Sequence, residues 1–171
     1  MTKGLPRSLS RGPRAQRMVV KESLQIDVDL SFTGDDGVVV FATAPIAFLE
    51  EGNVLLLGAV ANLTFSGPTS TNLTDDFQGD YSLGSTATAD ITLAGTDVDV
   101  IGSTAIPAAT TEVSANVRGV NAAQAVINNT AAAGEINLNV LLDADEVTDA
   151  QTVILTVTGT VDIAYIVLGD D

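Results

Sequence analysis

The sequence predicts an all-β protein, a β-sandwich with jelly-roll topology, carrying an extended basic arm at its N-terminus. Three observations predict it. Apolar and polar residues alternate with a period of two over several segments separated by turn-forming residues. Val and Thr are abundant while Lys is nearly absent, a composition that favours strands over helices. Six of the seven basic residues fall in the first 21 positions, where there is no acid.

Those six are Lys3, Arg7, Arg11, Arg14, Arg17 and Lys21, so residues 1–21 carry +6. The remaining residues hold Arg118 and all 22 acids, a charge of −21. Asymmetry of this kind separates an interaction tail from a folded body. The expected division is an arm over 1–21 and a sandwich domain over 22–171. Pro6 and Pro13 oppose regular pairing in the arm, and Gly4 and Gly12 loosen it. Its bases fall on no apolar helical face, so it does not read as a membrane-surface helix. No stretch approaches the roughly 20 apolar residues that span a bilayer, and VLLLGAVA from Val54 is the longest apolar run. Met18-Val19-Val20 is too short for a signal-peptide core. Neither a membrane partner nor a secretory route is expected.

The elements follow in order. In SLQIDVDLSFT, 23–33, Leu24, Ile26, Val28, Leu30 and Phe32 point one way, with Asp27 and Asp29 on the other face. Gly34-Asp35-Asp36-Gly37 is a turn. A second strand, GVVVFATA, is expected to end at Pro45, with a short one over Ile46 to Leu49. Residues 53–67 read as a long strand bent at Gly58, and 67–80 as a polar loop. YSLGSTATADITLAG, 81–95, alternates with small residues and reads as a strand, Thr96 to Ile101 either continues it or pairs with it, and Pro107 is placed in a loop. Glu112 to Val120 alternates again, whereas Ala122 to Ala133 is compatible with a short helix. Residues 135–143 alternate through Ile136, Leu138, Val140 and Leu142. Residues 152–169 form one long strand, or two broken near Gly159. About eight turn-separated strands make a sandwich. With almost no Lys, sheet edges are expected to be guarded by Asp or by subunit packing.

The body offers little chemistry. It has no Cys and no His, which removes thiolate catalysis, thiolate metal sites and the commonest general base. No glycine-rich phosphate loop is present. An acid pair could hydrolyse glycosides, but seven aromatics leave little for sugar platforms. The protein is expected not to be an enzyme and to need no cofactor. Asp143, Asp145, Glu146 and Asp149 crowd one turn and are the best calcium candidates. They lack the full EF-hand pattern, and the plainer reading is a solvated loop. Nucleic acid is a poor partner, because the arm has no interleaved aromatics and the −21 body repels a polyanion. An acidic protein surface fits better, since arginine forks pair with carboxylates.

The basic arm, the Val/Thr/Ala/Asp-rich body and the ending VTGTVDIAYIVLGDD resemble small virion proteins of tailed bacteriophages. The likeness is to capsid decoration, or cement, proteins with a jelly-roll body. It implies a structural homotrimer on the outer capsid surface that binds the major capsid protein and rivets adjacent capsomers. The arm would then reach along the capsid protein or into a neighbouring copy. Rival readings are a head–tail or tail component, a surface module that binds glycans or calcium, and an acid-pair hydrolase.

Overall fold

The computed structural model describes residues 19–34, 37–67, 72–74, 76–119, 126–129 and 134–169. Nine strands occur in that set: β1 (Val20–Thr33), β2 (Val40–Phe48), β3 (Gly52–Ser66), β4 (Phe77–Gly84), β5 (Ile101–Ala109), β6 (Glu112–Gly119), β7 (Val126–Asn129), β8 (Glu135–Leu142) and β9 (Thr152–Gly169). They form two antiparallel sheets. Sheet I runs β1-β9-β3-β6, with β7 also on β3, and sheet II runs β2-β8-β4-β5.

Four pairings nest in sequence: β1 with β9, β2 with β8, β3 with β6, and β4 with β5. They are successive rungs of one long antiparallel ribbon, and they fall alternately in sheet I and sheet II. Rolling that ribbon brings β9 against β3 and β8 against β4. This is a jelly roll. The short β7 returns to the first residues of β3, pairing Val126–Asn129 with Leu55–Gly52.

The inner faces meet in one apolar core. On β1, Ile26, Leu30 and Phe32 are buried, Leu24 and Val28 pack beside them, and Asp27 and Asp29 face out, as the alternation predicts. Phe65 of sheet I and Tyr81 of sheet II lie ring against ring across the core, with centroids 5.3 Å apart. The Tyr81 hydroxyl donates to the Ala115 carbonyl at 3.2 Å, a polar tie between the two sheets.

Several boundaries differ from the sequence reading. β1 starts at Val20, so Lys21 belongs to the body rather than the arm, pairing opposite Ala164. β2 runs through Pro45 to Phe48 instead of ending there. It can do so because β2 is the outer strand of sheet II, where a missing N–H costs no ladder bond, and because the register shifts between Pro45 and Ala47. Pro107 likewise sits in a strand, β5, the opposite outer strand of that sheet. The two edges of sheet II are thus marked by proline, not by aspartate. β4 takes Phe77 to Asp80 from the expected loop. The ambiguous 122–133 stretch contains β7, and its other residues lie outside the described set.

Residues 85–100 leave the ladder, although their alternation reads as strand. Side chains supply the partners that a neighbouring strand would. Ser85 donates to Asp99 through both its N–H, at 2.7 Å, and its hydroxyl, at 2.5 Å. Asn139, fully buried on β8, accepts from Thr43 Oγ1 at 2.8 Å and from the Thr88 N–H at 2.9 Å. Its Nδ2 donates to the Thr86 and Asp97 carbonyls at 3.0 and 3.1 Å. Every hydrogen-bonding site of that amide is filled. The segment is therefore strapped over the outer side of β8, and that strand is buried on both faces, Asn137 and Asn139 included.

β9 is one strand of 18 residues rather than two. Gly159 makes continuity possible. It has φ +136, and a Cβ there would lie 2.1 Å from the Asn62 carbonyl oxygen of β3. Gly159→Ala is expected to destabilise the fold by about 2–4 kcal/mol, from an unfavourable φ and a backbone clash. Gly102→Ala, with open space around it, should stay within about 0.5 kcal/mol of wild type. Urea unfolding of both variants checks the pair.

Candidate functional site

Of the six bases, Lys3, Arg7, Arg11, Arg14 and Arg17 lie outside the described residues. Lys21 is described, and it marks where the arm joins the body. It sits on the outer face of sheet I beside an open groove of about 350 Å³. A register shift between Leu56 and Gly58 in the β3–β9 pairing makes that groove. The extra residue, Leu57, is pushed out and is 46% exposed, and Gly58 leaves a notch next to it. Ala59, Val60, Asp162, Ile163 and Ala164 complete the lining with Lys21. The bend expected at Gly58 is this bulge.

The register orders the rest of that face. Lys21 is level with Ala164 and Gly58, while Asp29 is level with Thr156 and Ser66 at the other end. There the side chains bond across strands. Thr156 Oγ1 donates to Asp29 Oδ1 at 2.6 Å, and Ser66 Oγ donates to Glu112 Oε2 at 3.3 Å. The Thr64 and Ser114 hydroxyls are 3.2 Å apart. The face thus runs from a mostly apolar end, with Lys21 and Asp162, to a hydroxyl-rich acidic end.

The calcium candidates do not come together. Asp143, Asp145 and Asp149 are exposed on their turn, and Glu146 is buried. No group of three or more acids able to hold a metal ion occurs among the described residues. The turn is used structurally. Val147 bridges to Leu73 and Asp149 to Gly34, and the Glu146 carbonyl accepts from the Thr74 N–H at 3.0 Å.

Two features were missed in the sequence. One is the buried carboxyl of Asp99. Burial raises its pKa above the ordinary value, opposed by the two Ser85 hydrogen bonds. Its neighbours are the strap's own residues, so it holds a loop rather than facing a ligand. The other is a pair of exposed aromatics. Phe41 and Phe48 on β2 are 39% and 65% exposed, while the other five aromatic side chains of the chain are buried. Their positions in VVVFATAPIAFL gave no signal, because the run of valines before them hides the alternation and a bulge resets it.

The chain matches no protein-family model, no curated protein and no solved structure. The likeness to decoration proteins therefore rests on the residues of the chain alone.

The two buried tyrosines predict how the body responds to base. Burial pushes the Tyr81 phenol from 10.0 to about 12. Tyr165 is raised too, by burial first and then by its hydrogen bond to Glu22, 2.6 Å from hydroxyl to Oε1. An unfolded tyrosine releases its proton near pH 10, so unfolding between pH 10 and about 12 releases protons. Stability is present in full below pH 10 and is lost as pH rises through that window. Tyr81→Phe is expected to flatten part of the fall, leaving the Tyr165 share. Thermal melts of both proteins at stepped pH measure it.

Proposed function

We propose that this protein is a structural virion protein that binds the outside of a tailed-bacteriophage capsid and reinforces contacts between capsomers. It docks through its basic arm onto carboxylates of the major capsid protein or of an adjacent copy, and it works as a homotrimer. The observation that carries this reading is the confinement of six of seven bases to the first 21 residues, five of them ahead of β1, with all 22 acids after them. The supporting facts are physical. The jelly roll is a fold shared by viral capsid and lectin domains, and a fold by itself assigns no function, so the reading is supported by the charge of the N-terminal residues rather than by the fold. A surface array of copies multiplies a modest contact by avidity. An acidic body facing solvent keeps decorated particles apart.

The reading fits the way the arm is anchored. β1 pairs with β9 along its whole length, from Val20 opposite Tyr165 to Thr33 opposite Thr152. A load on the arm is transmitted along β1 and resisted by that entire ladder.

Deleting residues 1–18 is expected to leave the sandwich folded, because β1 begins at Val20, and to abolish most binding to undecorated capsids. Binding of the full chain should weaken as salt rises, since exposed pairs are screened. Replacing a single arginine by Ala should cost about 0–1 kcal/mol where its pair is exposed. The cost rises to about 3–5 kcal/mol where a buried carboxylate is left unpaired. Co-sedimentation with purified capsids at low and high salt reads all three. Equal decoration by the deleted and intact proteins at both salts would remove the reading, and a count of only a few copies per particle would move it to a tail or head–tail part.

A further inference from the structure

Among the described residues, Phe41 and Phe48 are the only exposed aromatic side chains, and both belong to β2. Their exposure is built in. Ile46 and Ala47 are consecutive, yet both pack against the core at the register shift after Pro45. The extra residue reverses the alternation, so Phe48 is turned out of the core instead of into it. From Gly37 to Leu49 the chain carries no charge, while Glu50 and Glu51 follow and Glu135 pairs opposite Phe48. Pro45 and the bulge also block addition of another strand to this edge, so a partner must seat on side chains.

We propose that this outward strip of β2, Phe41 through Pro45 to Phe48, is the surface through which one copy of the chain binds a second copy. The occupant follows from charge. A chain of net −15 repels its own copies, so close approach is cheapest over uncharged surface. A basic partner would gain nothing here and would be drawn to the acidic faces. Exposed aromatics at the centre of a patch with a polar rim are the usual anchors of such contacts. The inference rests on the self-association in the proposed function and not on the arm.

The two parts respond to salt in opposite directions. Salt weakens arm-to-carboxylate docking, but it screens repulsion between acidic bodies and so strengthens association through an uncharged strip. Sedimentation of the full-length protein over micromolar concentrations should show species above monomer, increasing with salt. Phe41→Ser with Phe48→Asp should weaken association by about tenfold or more. Ile154→Ser, at a residue 52% exposed on the outer face of sheet I, should leave it unchanged. Hydrogen exchange on the wild-type protein needs no variant: residues 38–49 should gain protection in the associated state. A wild type that stays monomeric, association that falls with salt, or a folded double variant that associates as tightly as wild type overturns the proposal. A double variant that loses only capsid binding overturns it as well, since the strip's occupant is then the capsid protein.

Discussion

β9 lies between β1 and β3 and pairs with both over most of its 18 residues. The last strand of the chain therefore completes the sheet that the first strand begins. Until it is in place, β1 has no neighbour in sheet I, and the ribbon cannot close. Pairings this far apart in sequence pay loop-closure entropy before they gain contacts, so this fold belongs with slowly folding, non-local topologies. The same placement ties the base of the arm to the C-terminal strand.

Sheet II solves a different problem. Its central strand β8 is buried on both faces, which asks for polar partners wherever its outer positions are not apolar. Asn139 meets that demand by binding four groups at once and drawing residues 85–99 across the sheet. The strap uses the middle of the outer face and leaves β2 at the rim. Phe41 and Phe48 are exposed there because the cover stops short and the bulge turns Phe48 outward.

Charge is distributed to match. Acids crowd the outer faces and turns, and the described interior contains few ionisable groups: Asp99 and Glu146 among the acids, and the two tyrosines. Asp99 is compensated by Ser85 and Tyr165 by Glu22.

Much of this was legible in the residues. Period-two alternation in β1 and β8 set which side chains line the core, since in β1 a slip of one residue would expose Ile26 and bury Asp27. Composition determined the all-β class. Tertiary structure decided the remainder. Proline could stay in β2 and β5 only because both became outer strands, a fact of sheet order that no local pattern carries. Residues 85–95 alternate like a strand, yet Ser85 bonds Asp99, Thr86 and Thr88 bond the distant Asn139, and the remaining bonds are local, to Asp90 and Thr96. The two phenylalanines are exposed because of one extra residue in a ladder. Local sequence sets the preference of each segment, but edge position, bulges and buried polar partners exist only once distant strands have met.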